Sequence, residues 1–202
     1  MKIDPAKLNR KEGHDLLAAA VIPRPIAFVS TIGENVVYNL SPFSFFAVMS
    51  VEPPVVGFAI GPKSGGGKKD TLLNIEYAKD FVVNMVTEEY VEKMNLTSGA
   101  YPPEVDEFKV VGLTPVKSES VKSPRLAESP VNLECRLIRI LKFGKAPRLE
   151  HFVIGEVIRA HVRDELWGKE GIDFARIKAI GRLGGIAYCR TRDIFDMDRP
   201  KV

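Results

Sequence analysis

The chain has 202 residues, enough for one large domain with a sizeable core, and is 45% hydrophobic and 27% charged. These fractions are typical of globular proteins and exclude a disordered or fibrous class. The net charge is only +3, and no basic run is interleaved with aromatic residues, so we expect no nucleic-acid partner.

No segment is apolar for the ~18 residues that a membrane span requires. The first ten residues carry charges where a secretory signal would have an apolar stretch. We therefore expect a cytoplasmic protein with no membrane partner. Cys135 and Cys189 match no metal or redox spacing, so we expect no metal site and interpret both cysteines as small buried hydrophobic residues.

Residues 5–20 are predicted to form the first helix. Asp4 is the expected cap, Pro5 suits the first helical position, and an alanine run ends the segment. Residues 21–31 follow as a β-rich segment, in which two prolines hold Arg24 in an extended conformation.

A turn at residues 33–35 predicts that residues 21–31 pair with residues 36–38 in a β-hairpin. Further along, residues 54–60 are an almost continuous apolar run of strand length, which indicates a strand buried on both faces. Together these segments predict the start of a barrel.

The segment between them, residues 39–54, combines features that an ordinary core segment does not. Prolines within it and at its end interrupt regular structure. Polar and aromatic side chains lie together in its first half: Asn39, Ser41, Phe43, Ser44, Phe45 and Phe46. Such a wall suits a flat, aromatic ligand that forms hydrogen bonds. The alternative is a loop packed on the core, in which Asn39 and Ser41 cap a short helix.

A glycine-rich segment with lysines, residues 61–71, leads into a predicted helix at residues 72–78. Backbone N–H groups and the helix dipole favour an anion at such a place. The segment is not a P-loop, because Pro62 stands where that motif needs glycine, and Asp70 replaces the third glycine of the dinucleotide fingerprint. The alternative is a mobile loop with Asp70 or Thr71 as the helix cap.

The next elements are a strand at residues 81–86, a short helix at residues 88–97 and an exposed loop at residues 99–107. Residues 117–129 are interpreted as a polar linker, because the segment is too hydrophilic to belong to the core.

Residues 131–140 alternate apolar and polar side chains until the phase slips by one residue, which predicts a β-bulge near Leu137 or the residue after it. The segment bounded by His151 and His161 is the expected hairpin partner. These two histidines lie too far apart along a strand to share a metal, so we expect both at the surface or at a sheet edge.

About seven strands, three short helices and no regular strand–helix alternation predict a mainly β fold, a closed or split antiparallel β-barrel with short helical additions. Residues 1–202 are expected to form a single domain, with an N-terminal helix, a barrel of about residues 21–190 and a C-terminal tail. A parallel doubly wound sheet is the alternative.

Five short motifs, in this order along the chain, are similar to one family. They read RPIAFVST from residue 24, NLSPFSFF from residue 39, PP from residue 53, KDT from residue 69 and RLGG from residue 182. The chain resembles the flavin reductase-like, FMN-binding split-barrel proteins, which include flavoredoxin and the small reductase components of two-component monooxygenases. This resemblance implies a split antiparallel barrel and a homodimer with one FMN per subunit near the dimer interface.

By position, the resemblance also implies which residues bind the flavin. Residues 39–46 would lie along the isoalloxazine and ribityl parts, and the helix start after residue 68 would meet the phosphate. The implied set is Arg24, Ser30, Thr31, Asn39, Ser41, Pro42, Phe43, Ser44, Phe45, Lys69, Asp70 and Thr71. Three extra glycines at residues 65–67 leave open whether Lys68 or Lys69 contacts the phosphate.

The resemblance implies an NAD(P)H:flavin oxidoreductase that holds FMN, with FAD as the other flavin to consider. The alternative is a flavoredoxin-type FMN carrier that exchanges electrons with a redox partner protein and uses no pyridine nucleotide. Gly184, Gly185 and Tyr188 stand where the monooxygenase-partner branch carries a histidine, which favours the flavoredoxin-like side. A nucleic-acid-binding or purely structural barrel is disfavoured, because the chain has no basic stripe.

Overall fold

The computed structural model describes residues 1–201, so the last residue of the predicted tail lies outside the described part. The helices are α1 (Arg10–Ala20), α2 (Asp70–Ala78), α3 (Val91–Leu96), α4 (Glu107–Val111) and α5 (Phe174–Ile177), with 3-10 turns at Pro5–Lys7 and Asp164–Leu166. The strands are β1 (Ala27–Ile32), β2 (Tyr38–Phe43), β3 (Phe46–Val51), β4 (Pro54–Ile60), β5 (Asp80–Met85), β6 (Pro115–Val116), β7 (Arg125–Leu126), β8 (Val131–Phe143), β9 (Glu150–Val162), β10 (Trp167–Gly168), β11 (Gly171–Ile172), β12 (Ile180–Arg182) and β13 (Tyr188–Arg190).

Seven strands form one sheet in the order β2-β1-β5-β8-β9-β4-β3, and every neighbouring pair is antiparallel. The two edge strands, β2 and β3, follow one another in the chain and are joined only by Ser44 and Phe45. The sheet therefore curls until its edges approach each other without pairing in the described residues. This topology confirms the predicted split antiparallel barrel and rules out the parallel alternative.

The core occupies both faces of the curled sheet. Inside the barrel, Phe58 and Phe81 are fully buried with ring centroids 5.3 Å apart, and α2 adds Leu72 to the same cluster. On the outer face, α3 and α4 bury Met94 and Phe108 against β1 and β2. Side chains alternate between the faces along each strand, so β1 and β2 contribute to both clusters.

The N-terminal helix begins later than the predicted residue 5. Asp4 caps only the short 3-10 turn, accepting from the Ala6 N–H at 3.1 Å. The α-helix starts at Arg10, where Asn9 and Glu12 form a reciprocal capping box with distances of 2.9 and 3.0 Å. A capping box satisfies two backbone donors, so it fixes the helix start more firmly than the single bond from Asp4.

The alternative of a short capped helix in residues 39–54 is wrong, because this segment forms β2, β3 and the crossing between them at Ser44 and Phe45. Pro42 lies within β2 opposite Phe28 of β1. A proline cannot donate a ladder hydrogen bond, and the position is tolerated because β2 is an edge strand.

The predicted polar linker at residues 117–129 is also wrong, since Ser123 and Leu126 within it are fully buried. Two buried carboxylates, Asp80 and Glu134, accept hydrogen bonds from the backbone of this segment. A polar sequence can be buried when its N–H groups are satisfied in this way.

The predicted bulge is confirmed, because the pairing of β8 with β9 shifts between Leu137 and Arg139 and again near Glu134. The expectation that both histidines of β9 lie at the surface or at a sheet edge is wrong for His151 and partly correct for His161, which is half-buried. His151 is 5% exposed and therefore buried, and the imidazole of His161 lies 2.6 Å from a Glu134 carboxylate oxygen.

Candidate functional site

The start of α2 presents backbone donors that the protein does not satisfy with a cap. The first N–H groups of a helix have no intrahelical acceptor. Lys69 is the N-cap residue, but its side chain makes no capping hydrogen bond. Asp70 is directed to Lys63, whose ammonium lies 2.9 Å from its carboxylate. The alternative in which Asp70 or Thr71 caps this helix is therefore wrong.

The two lysines before α2 have different surroundings. The Lys68 ammonium lies 2.7 Å from both carboxylate oxygens of Glu76. The Lys69 ammonium lies 5.7 Å from the centroid of the Phe43 ring and has no hydrogen-bond or ion-pair partner among residues 1–201. Burial lowers the pKa of Lys69, and the charge of Glu150 partly opposes this. Lys69 is thus the cation that an added anion would stabilise.

A buried polar network connects α4, β2 and α2 through Asn39, which bonds both Glu107 of α4 and Thr71 of α2. Glu107 is 6% exposed and accepts from the Asn39 side-chain amide at 2.7 Å and from the Leu40 N–H at 3.2 Å. Because a carboxylate accepts hydrogen bonds, the Asn39 amide nitrogen must face it, and its oxygen accepts from the Thr71 hydroxyl at 2.6 Å. The Thr71 hydroxyl is therefore engaged within the protein, while its backbone N–H is not.

Burial raises the pKa of Glu107 to about 7, although hydrogen bonds from its own backbone, Leu40 and Asn39 act in the opposite direction. No motif in the sequence marks this residue. Its partner Asn39 is 68 residues away in the chain, and no local spacing predicts such a contact.

The predicted residues Ser30 and Thr31 belong to the interior of the protein. Ser30 is fully buried, donates to the Pro124 carbonyl oxygen and accepts from the Asn84 amide at 3.0 Å. Thr31 accepts from the Asn74 amide at 3.1 Å. Both hydroxyls are therefore engaged in hydrogen bonds within the protein.

The middle of the predicted segment is more open. Phe43 is a core residue, with its ring centroid 5.3 Å from that of Phe58. Ser41 is half-buried, and its hydroxyl has no partner among residues 1–201. Phe45 is 39% exposed and stacks on His14 of α1 with ring centroids 5.8 Å apart.

Arg24 ties this segment to α1 and to the C-terminal hairpin. Its guanidinium donates to the carbonyl oxygens of Ala18, Val21 and Leu183, and its Nε lies 3.4 Å from the Ser44 hydroxyl. Burial lowers the pKa of Arg24, and the nearby charge of Arg182 adds to the effect.

A cavity of about 280 Å³ lies beside Arg24, between α1, the crossing from β2 to β3, α3 and the C-terminal hairpin. The lining includes Arg24, Pro42, Ser44, Asn95, Arg182 and Tyr188. The structure thus divides the predicted residues into a group at the start of α2 and a group at this cavity, with Ser41 and Phe43 between them.

Within residues 1–201, no three His, Cys, Asp or Glu side chains are placed to hold a metal ion. In the same part of the chain, no helix has both the length and the apolar character to cross a membrane.

A family model described as a flavin reductase like domain matches residues 19–176. The crystal structure of nitrilotriacetate monooxygenase component B from Bacillus cereus is 32% identical, with a TM-score of 0.93 over 98% of this chain and 98% of that chain. The structure of a Pseudomonas fluorescens 2-nitrobenzoate 2-nitroreductase is also 32% identical, with a TM-score of 0.89 over 99% and 96% of the two chains. Flavoredoxin of Desulfovibrio vulgaris, at 19% identity and a TM-score of 0.75 over 88% and 91%, shares the fold.

Proposed function

The chain belongs to the flavin reductase-like family, and we propose that it binds FMN and acts as an NAD(P)H:flavin oxidoreductase. One observation carries the proposal. Lys69 is a partly buried cation without a partner among residues 1–201, and it stands beside the unsatisfied N–H groups that start α2. A phosphate group would satisfy both features at once.

In this proposal the phosphate is bound by the Lys69 ammonium and by the backbone N–H groups of Asp70 and Thr71. The helix dipole adds to their attraction for an anion. Lys68 is not assigned a direct contact with the phosphate, because its charge is already paired with Glu76. This assigns the phosphate contact that the sequence left open between the two lysines.

The ring system would lie against the segment from Ser41 to Phe45. The free hydroxyl of Ser41 and the half-exposed ring of Phe45 supply a hydrogen-bonding group and an apolar face. Bound flavin supplies the hydride acceptor, and the protein orients it and limits access of water. Asn39 and Thr31 accept hydrogen bonds from Thr71 and Asn74 of α2 and so hold the start of this helix in position.

We also propose a homodimer in which β3 is part of the interface. Val48, Met49 and Val51 on this edge strand are 72%, 51% and 86% exposed, and exposed apolar edges favour association. Light scattering should give twice the monomer mass of 22.4 kDa. Met49→Glu should shift the equilibrium to the monomer, whereas Val110→Glu on α4 should not. A monomer with FMN bound in the wild-type protein would contradict this assembly.

The second candidate is a flavoredoxin-type carrier that takes electrons from a redox partner protein. Gly184, Gly185 and Tyr188 stand where the monooxygenase-partner branch carries a histidine, and this favours the carrier, although α1 brings His14 to the Phe45 ring. Oxidation of NADH and NADPH, measured with and without added FMN, separates the two. The reductase oxidises nucleotide and the carrier does not, while both bind FMN and are yellow. Parallel titrations with FAD decide between the two flavins. A protein that binds neither flavin at micromolar concentration would refute both candidates.

A further inference from the structure

The proposed flavin site leaves one charged motif without a role, the Arg182 segment that precedes the turn at Gly184 and Gly185. Arg182 lies on β12, and its backbone pairs with Arg24 through N–H to carbonyl bonds of 2.8 and 2.9 Å. Two guanidinium groups therefore line the same cavity of about 280 Å³.

The hydrogen-bond donors of the two arginines are used very differently. Arg24 directs most of its N–H groups to three backbone carbonyl oxygens. Arg182 makes one side-chain hydrogen bond, to the Gly185 carbonyl oxygen, and its guanidinium stacks 4.3 Å from the Tyr188 ring centroid. An arginine has five N–H donors, so most of those on Arg182 are free for a ligand.

The charge in the cavity is not balanced by the protein. Neither Arg24 nor Arg182 has a carboxylate partner among residues 1–201. Asp15 is the one acidic residue that lines the cavity, and it is already paired with Lys11 at 2.6 Å. A concave site with unpaired positive charge favours an anionic ligand.

The remaining walls define what kind of anion would fit. The Asn95 oxygen accepts from the Tyr188 hydroxyl at 3.1 Å, which leaves the Asn95 amide nitrogen as a donor. Ile26, Pro42 and Met94 line the same cavity and supply apolar surface. A planar guanidinium matches a carboxylate with two parallel hydrogen bonds.

We propose that this cavity is a binding site for a small organic carboxylate, with the charged end on Arg182 and Asn95 and the apolar body against Ile26, Pro42 and Met94. Pro42 belongs to the segment that the proposed function places along the flavin ring, so the ligand would lie beside the flavin. Only this last point rests on the proposed function, since the binding itself needs no flavin.

Calorimetric titration of the purified protein with benzoate, with and without FMN, tests the proposal. Benzoate should bind in both states, and benzyl alcohol should bind at least about ten-fold more weakly because it lacks the charge. Inorganic phosphate is expected to bind at the start of α2 as well, so it is tested as a competitor of bound benzoate, and it should compete weakly because it lacks the apolar body. If phosphate displaces benzoate as effectively as further benzoate does, the site is a simple oxyanion site and the proposal fails. If FMN fails to bind while benzoate binds, the flavin assignment alone is refuted.

Arg182→Gln should weaken benzoate binding by about ten-fold or more. Arg190→Gln, on the same hairpin and engaged with Glu88 instead, should change it by less than about two-fold. Arg182→Lys keeps the charge and should give a loss between these, which covers the case in which Arg182→Gln fails to fold by circular dichroism. Unchanged benzoate binding in both Arg182 variants would overturn the proposal.

Discussion

Two polar segments of this protein, residues 117–129 and residues 61–71, differ in how their backbone donors are satisfied. The segment around residues 119–123 is held by two buried carboxylates, Asp80 and Glu134, at distances of 2.6 to 3.1 Å. These oxygens accept from the N–H groups of Glu119, Ser120, Lys122 and Ser123. The protein supplies every anion that this loop needs, so its role is structural.

The start of α2 is the opposite case. Its first N–H groups face no side-chain cap, and Lys69 has no carboxylate partner among residues 1–201. The side-chain hydroxyl at the same place, that of Thr71, is already committed to Asn39. The difference leaves this region with donors and a cation that an anion from outside the chain would satisfy, which is the physical basis for the proposed FMN phosphate site.

The largest effect should come from breaking the satisfied region. Asp80→Ala removes the acceptor of two backbone N–H groups and of the Ser123 hydroxyl at 2.7 Å. Buried donors left unsatisfied should lower the free energy of unfolding by about 3 kcal/mol or more. Asp70→Ala, which breaks an exposed pair with Lys63, should lower it by about 0.5 kcal/mol. Chemical denaturation compares the two, and equal losses would contradict the assignment of Asp80 as the anchor of this loop.

A second effect concerns pH and Glu107. Its pKa is raised from 4.5 to about 7 on folding, so the folded state binds the proton more tightly than the unfolded state. The contribution of Glu107 to stability should therefore fall as pH rises from about 4.5 to about 7, with a slope of up to about 1.4 kcal/mol per pH unit, and stay level above that range. Glu107→Gln removes this contribution. Denaturation curves across this range should differ in slope between the two proteins, and parallel curves would refute the shift.

The smallest effect should come from Lys68. Its pair with Glu76 is partly exposed, so Lys68→Ala should lower the free energy of unfolding by about 0.5 kcal/mol. FMN affinity should change by less than about three-fold, because the charge is not in contact with the phosphate. Titration with FMN checks this, and a loss as large as that from Lys69→Ala would move the phosphate contact to Lys68.

The features predicted correctly from the sequence depend on local patterns. The apolar run at residues 54–60 predicts a buried strand, and the phase slip near Leu137 predicts the bulge, because side-chain direction in a strand follows directly from position. The five motifs, in their order along the chain, indicate the split-barrel fold. These signals need no knowledge of distant partners.

The features that the sequence did not reveal depend on contacts between distant residues. The serine-rich segment after residue 117 is buried only because Asp80 and Glu134 supply acceptors from other strands. Lys68 and Lys69 are adjacent and chemically identical, and they are distinguished by the position of Glu76 on α2 and by the burial of Lys69 beside Phe43. Which carboxylate meets which donor is decided by the packing of the barrel, so local spacing cannot predict it.

The ratio of FMN to riboflavin affinity, measured by fluorescence titration, shows whether the start of α2 binds the flavin phosphate. Riboflavin lacks the phosphate, so Lys69→Ala should weaken FMN binding by about ten-fold or more and riboflavin binding by less than about two-fold. Lys68→Ala serves as the matched control, because the Lys68 ammonium is paired with Glu76 and its removal should leave the ratio unchanged. The ratio should collapse for Lys69→Ala alone, and an unaltered ratio in that variant would contradict the phosphate site at the start of α2.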